Sequence, residues 1–232
     1  MSIYNSIIDK KWDGSLLEET QKIFLSISVS EATGEPLLLV SVDSPFYNNP
    51  APTAPPSSSL DGLWNYEVVE FFIKGKLDKY IEMEMGPHGH YLILAFDGYR
   101  QCFKRAIEPI SYQAQISEDG TRWTGRLVVS MDILPPSTGI PNALFSYNAY
   151  ALYDDPDRQY CCAYPPVAKN YPTYENPDFH RLELFQKLSL DFAVPSPKSL
   201  WVTRQGLNVV DRAVAKSSDE EGELTGSPMV RE

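Results

Sequence analysis

Residues 60–73 read LDGLWNYEVVEFFI, and the two carboxylates inside so apolar a run decide how the chain must fold. A strand buried on both faces has no place for Glu67 and Glu70. Side chains alternate along a strand, so Val69, Phe71 and Ile73 share one face, led by Glu67. Val68, Glu70 and Phe72 share the other, which is apolar enough to form a surface and charged enough to hold something. The stretch KYIEMEM (79–85) repeats the pattern, with Ile81, Met83 and Met85 on one face and Tyr80, Glu82 and Glu84 on the other. If the two strands pair, their apolar faces join in a core and Glu70, Tyr80, Glu82 and Glu84 share the outer face. Three carboxylates a few cross-strand distances of about 5 Å apart repel unless water, cations or hydroxyl-rich ligands separate them. An acidic face flanked by aromatic rings suits sugar hydroxyls and sugar rings. The plainer alternative is a solvated face balanced by Arg126, Lys74 or Arg100.

Alternating segments recur on both sides of this pair. KIFLSISVS (22–30) places Ile23, Leu25, Ile27 and Val29 on one face, and ATGEP turns the chain into LLLVSVD (37–43). A loop with five prolines between Pro45 and Pro56 precedes the opening strand. HYLILAF, RWTGRLVVSMDIL, ALFSYNAYALYD, RQYCCAY and FQKLSLDF follow it, with no convincing helical period over more than two turns. The pattern predicts an all-β, antiparallel two-sheet β-sandwich, jelly-roll-like, as one domain over residues 1–192 with its core at about 20–192. Residues 193–215 read as a peripheral extension, and 216–232 as an acidic disordered tail.

The chain has 232 residues, 43% hydrophobic and 22% charged, with a formal net charge of −11. Such a charge repels nucleic acid and anionic membranes on average. Two cations and five anions between Lys216 and Glu232 supply −3 of it. No signal-peptide core or apolar run of about 18 residues is present, so neither secretion nor a membrane span is expected. Three cysteines, two of them adjacent, make no disulfide framework and fit a reducing compartment. A cytoplasmic location follows, with the nucleus left open.

LWNYEVVEFFI resembles the Trp-spacer-Val-Glu-x-Phe-Ile strand of family 9 carbohydrate-binding modules. YIEMEMGPHG is similar to that family's Tyr-x-Glu-x-(Glu/Asn)-x-x-Pro-x-Gly hairpin. RWTGRLVVSMDIL resembles a third strand, with Ser130 and Met131 where isoleucine and proline usually stand. FSYNAYALYD followed by NPDFHRLELFQKLSL resembles the Asn-containing strand and the closing segment. The four stretches occur in the family's order across roughly residues 20–192. The chain is similar more closely still to an animal protein family of unknown function built on this module without an attached enzyme.

The resemblance implies a non-catalytic sandwich of carbohydrate-binding-module type, in which two aromatic plates clamp a sugar backed by charged and amide groups. Trp64 would be one plate, and Glu70, Tyr80, Glu82, Glu84, Arg100 and Asn148 the polar candidates. No second tryptophan falls opposite, leaving Tyr47, Tyr66, Tyr164 or Tyr171 as substitutes. An arginine common a few positions after Asn148 is replaced by Ala151 and Leu152, and Gln186 stands for the glycine after the closing phenylalanine. The departures favour an alternative, an intracellular protein-interaction scaffold that has lost sugar binding. Carboxylate pairs such as Glu70 with Glu82 or Glu84 leave a third reading, glycoside hydrolysis, if they stand about 5–9 Å apart.

Other motifs read as structure first. His88 and His90, two apart in GPHGHY, could share a metal if His180 approached, but two turn histidines are the plainer reading. Asp154, Asp155 and Asp157 in DDPDR offer oxygen for a structural calcium, yet lack its alternating ligand spacing and suit a turn. Cys161 and Cys162 would point to opposite faces and be buried as small apolar groups. No cofactor is expected, and no Gly-rich phosphate loop or serine nucleophile elbow is present.

Overall fold

Two antiparallel sheets account for the strands, and a computed structural model describes residues 3–31, 34–137, 142–166, 177–193 and 200–201. In chain order the strands are β1 (Ile3–Ile8), β2 (Lys10–Lys11), β3 (Ile23–Ser30), β4 (Leu37–Pro45), β5 (Val68–Lys74), β6 (Lys79–Met85) and β7 (Tyr91–Asp97). After them come β8 (Cys102–Lys104), β9 (Ser111–Ile116), β10 (Arg122–Ser130), β11 (Asn142–Asp154), β12 (Arg158–Cys162) and β13 (Gln186–Ala193). The smaller sheet runs β1-β3-β4-β10-β9. The larger runs β2-β12-β11-β5-β6-β7-β8, with β13 also pairing β11. One edge of the long strand β11 is shared, β13 taking Asn142–Tyr147 and β12 taking Tyr150–Asp154, while β5 takes the other edge.

Alternation decides what lies between the sheets. Ile23, Leu25 and Ile27 of β3 meet Val69, Phe71 and Ile73 of β5 and Ile81, Met83 and Met85 of β6, all essentially inaccessible to water. Fully burying an aliphatic or aromatic side chain contributes about 1.5–3 kcal/mol, so this inter-sheet layer supplies most of the driving force. The expected facing of β5 and β6 is the one observed, with Phe71 opposite Met83 and Ile73 opposite Ile81.

The structure departs from the sequence reading at both ends. Strand structure begins at Ile3, not near residue 20, because β1 pairs with β3 throughout, from Ile3 opposite Ser28 to Ile8 opposite Ile23. Trp201, expected in a peripheral extension, is buried in the inter-sheet core. Its indole N–H donates to the Ile133 carbonyl at 3.0 Å, and its ring meets Phe103 edge-on at 5.1 Å. Residues 202–215, the acidic tail 216–232 and Tyr171 lie outside the described residues.

The largest departure concerns the outer face of the larger sheet. It is not a solvated surface. Trp12 and the segment around Phe179, Leu184 and Phe185 lie over Val68, Phe72, Tyr80, Leu94, Phe96 and Tyr150, making a second apolar layer. Glu70, Glu82 and Glu84 therefore stand at 2%, 4% and 0% exposure. None of the proposed balancing cations forms an ion pair with them: Lys74 pairs with Asp78, Arg100 pairs with Asp178 and acts on Glu82 only at a distance, and Arg126 belongs to the other sheet.

Candidate functional site

β5, β6 and β7 build the floor of a cavity of about 450 Å³. Glu70 stands directly opposite Glu84 across the β5–β6 ladder, and Phe72 stands opposite Glu82. Because Glu82 and Glu84 are two apart on one strand, all three carboxyls share a face. One carboxyl oxygen from each lies within 4.8 Å of the others. Glu70 and Glu82 line the cavity, together with Leu94, Phe96, Leu152 and Cys102. Trp64, Tyr160, Phe179 and His180 form the walls, with Arg100 and Arg105 beside them.

Trp64 sits in a single 3-10 turn, Leu63–Asn65, begun by Gly62 at φ 83°. That left-handed φ suits glycine, and a Cβ there would meet Asn65 Nδ2 at 3.2 Å. Arg158 of β12 holds the turn from below, donating to the Trp64 and Tyr66 carbonyls. Trp64 is 36% exposed, and the Arg105 guanidinium lies 6.0 Å from its ring centroid. In the same cavity Phe179 stacks on Tyr150 at 4.1 Å and 7°, and Tyr160 meets it edge-on at 6.2 Å.

The roof is tied down by polar contacts. Arg100 pairs with Asp178 at 2.8 Å, and the Tyr99 hydroxyl donates to the same carboxylate at 2.6 Å. Arg100 has φ 54°, a left-handed conformation unusual for a long side chain, and its N–H donates to the Tyr80 hydroxyl at 3.1 Å. The Tyr80 hydroxyl also bonds His180 Nδ1 at 2.7 Å, and the Tyr80 ring stacks on Phe96 at 4.5 Å. His180 Nε2 ends 4.0 Å from Glu82 Oε2.

Burial dominates the electrostatics. It pushes the Glu82 carboxyl up to about 8, partly offset by a hydrogen bond shared with Glu84. Burial, then the neighbouring Glu82, holds Glu70 well above the carboxylate range. Burial, then Glu70 and Glu82, does the same for Glu84. Glu84 finds no donor for either oxygen beyond the neighbouring carboxyls, and Glu82 Oε2 is equally unpartnered among the described residues. Burial lowers His180 to about 4, with Arg100 adding to the effect, so the imidazole is neutral at physiological pH.

The candidates read from sequence thus separate. Trp64, Glu70, Glu82 and Arg100 line one cavity. Tyr80 and Glu84 stand directly behind it, bonded to His180 and to the carboxyl pair. Asn148 lies elsewhere: it accepts from Tyr164 N–H at 3.2 Å and donates to the Tyr164 carbonyl at 3.0 Å, fixing the chain after β12 to β11. Tyr47 stacks on Tyr153 at 3.7 Å and Tyr164 bonds the Tyr147 hydroxyl, so neither serves as a plate. Phe179, Tyr160 and Arg105 were missed. Phe179 and His180 stand together in NPDFH, which the sequence placed only as a closing segment.

The metal candidates do not converge. His90 Nε2 bonds the Ala54 carbonyl at 2.9 Å and His88 faces Phe46, while His180 stands against Tyr80 and Phe72 beside Glu82. Asp154, Asp155 and Asp157 are exposed in a turn closed by Asp155 N–H on the Asp157 carbonyl, with Arg158 on Asp154. Cys161 faces the inter-sheet core and Cys162 the second layer, and neither is paired. A larger hollow of about 1050 Å³ crosses the outer face of the smaller sheet. Ser26, Ser41, Gln113, Gln115 and Thr124 line it, and it has no buried ionisable cluster.

No family model matches the chain. A UPF0462 protein C4orf33 homolog from Danio rerio is 37% identical over 167 residues, 71% of this chain and 80% of that protein. The Mus musculus homolog is 32% identical over 187 residues, 79% of this chain and 90% of that protein. Among solved structures, a candidate carbohydrate-binding protein from Bacteroides uniformis aligns with a TM-score of 0.54 at 16% identity, covering 82% of this chain and 87% of that one. A family 9 carbohydrate-binding module from Caldicellulosiruptor kristjanssonii, in complex with glucose, gives 0.40 at 12% identity, over 83% and 88%. The fold is the antiparallel sandwich of carbohydrate-binding-module type that the sequence resemblance implied.

Proposed function

We propose that this chain, which belongs to the UPF0462 family of C4orf33 proteins, binds a carbohydrate, without catalysis, in the Trp64 cavity. The observation that carries the proposal is the cavity itself. An accessible tryptophan lines the same cavity as Phe179 and Tyr160, with Glu70 and Glu82 at its floor and Glu82 Oε2 lacking a donor. A sugar ring supplies C–H faces for the rings and hydroxyls for Glu70 and Glu82, which accept and, when protonated, also donate. Arg100 and Arg105, each about half exposed, keep further N–H groups at the walls for ring or hydroxyl oxygens.

A glycosidase reading fits less well. Hydrolases hold two carboxyls about 5–9 Å apart across the scissile bond, whereas here three carboxyls gather in one buried cluster, an oxygen of each within 4.8 Å of the others. Three free cysteines, two fully buried, support a reducing compartment. No helix among the described residues is long and apolar enough to cross a membrane.

A glycan array followed by titration calorimetry tests the proposal. Trp64→Ala should abolish binding while melting close to wild type, since the ring is partly exposed. Glu70→Gln should weaken binding by about 0.5–1.5 kcal/mol, the range for hydrogen bonds between neutral groups, because burial holds Glu70 well above the carboxylate range. If no glycan binds wild type, a protein-interaction scaffold becomes the better reading.

A further inference from the structure

We propose that Glu70, Glu82 and Glu84 hold one hard divalent cation of the calcium class at the floor of the Trp64 cavity. The inference goes beyond sugar binding and does not depend on it. Two observations carry it. The first is geometric: an oxygen from each carboxyl lies within 4.8 Å of the others. That spacing is compatible with all three oxygens reaching one central ion at the distance of about 2.3–2.6 Å that calcium accepts. The second is Glu84 itself. It is 0% exposed, its two oxygens find no N–H or O–H donor beyond the neighbouring carboxyls, and it stands on the Glu70–Glu82 pair from behind.

Buried carboxyls are ordinarily matched by donors or by a cation. Arg100 and Arg105 act on Glu82 only at a distance, each paired elsewhere with Asp178 or Asp61, and no lysine or arginine among the described residues forms an ion pair with the three carboxyls. Arg158, whose charge reaches Glu70, gives its guanidinium to the Trp64 and Tyr66 carbonyls and to Asp154. A divalent ion would use the Glu82 and Glu84 oxygens that lack partners. The donor set is oxygen alone, with no sulfur or imidazole in the cluster, which favours calcium, magnesium or manganese over zinc or copper. Three carboxylates from two adjacent strands occupy one side of the ion. The other side opens into the cavity, where water completes the six to eight ligands calcium takes. Calcium is preferred to magnesium because it accepts irregular, one-sided shells.

The test uses the full chain stripped with EDTA, without sugar, at mildly alkaline pH. Calorimetry with CaCl2 should give one site per chain. Tm should rise by roughly 5–10 °C at a hundredfold excess of ion over Kd. Terbium should luminesce when tryptophan is excited, because Trp64 lines the same cavity. Glu84→Gln should abolish the shift and the emission, although Glu84 does not line the cavity. Should that variant not fold, displacement of terbium by CaCl2 from wild type supplies the same evidence. Unchanged melting with millimolar CaCl2 and no terbium emission would overturn the proposal, as would a calcium shift that survives Glu84→Gln. The readout contains no sugar, so a negative glycan array leaves it standing.

Discussion

Trp201→Ala should cost about 4–6 kcal/mol. The ring is 2% exposed and closes the inter-sheet core between Phe103, at 5.1 Å, and the Lys79 ammonium, at 5.9 Å. An aromatic side chain buries on the order of 200 Å², which at about 25 cal/mol per Å² is roughly 5 kcal/mol. Truncation also strips the indole donor from the Ile133 carbonyl, a loss of about 1 kcal/mol where water replaces it and more where it does not. Measured Trp→Ala costs of about 3–5 kcal/mol set the lower part of the range. For a chain of this size, roughly 2–4 °C of Tm per kcal/mol gives a fall of about 8–24 °C. Trp201→Phe keeps most of the ring area and loses the hydrogen bond, so it should cost only about 1–2 kcal/mol. Urea unfolding followed by far-UV circular dichroism measures both. A Trp201→Ala midpoint within about 1 kcal/mol of wild type would refute the assignment of Trp201 to the core.

Phe71→Ala, at 0% exposure between the sheets, should cost about 3–5 kcal/mol in the same assay, and a wild-type midpoint would contradict the facing of β5. Glu67, 5% exposed and accepting Tyr47 and Asn49 N–H, is raised by burial from 4.5 to about 7. The folded state therefore keeps a proton that the unfolded state releases above 4.5, so this group's contribution falls as pH rises through 7. Glu67→Gln should accordingly gain about 2–3 kcal/mol relative to wild type between roughly pH 5 and 8, and a difference independent of pH would reject the shift. Asn148→Ala should lose about 2–5 kcal/mol by stranding both Tyr164 backbone groups, and an unchanged melt would show that water replaces the amide. Removing residues 216–232, dense in anions and poor in apolar groups, should leave Tm unchanged, and a drop of several degrees would contradict the reading.

The sandwich was legible where alternation is strict, because period two on β3, β5 and β6 leaves only one way to bury Ile23, Phe71 and Met83. The same rule put Glu70, Glu82 and Glu84 on one face. It could not tell that the face is covered, because the cover is Phe179, Leu184 and Phe185, irregular chain with no period to read. Trp64 could be singled out from its motif, but Phe179 lies 115 positions later and joins it in one cavity only through the fold. Asn148 shows the limit of carrying roles by resemblance, since its side chain serves Tyr164 and not the cavity. Trp201 was missed for a simpler reason: one buried ring in a short segment leaves no pattern.

The placement of the thiols on β7's neighbour β8 and on β12 has a kinetic consequence. Cys102 is partly exposed beside the cavity, Cys162 is sealed beneath the Trp12–Phe179 cover, and its chain neighbour Cys161 is sealed between the sheets. An alkylating reagent therefore meets three barriers in one molecule. Cys102 reacts in the resting state, Cys162 when the cover lifts, and Cys161 only when the sheets part. The ratio of the last two rates states whether the two layers open as one cooperative unit or as two.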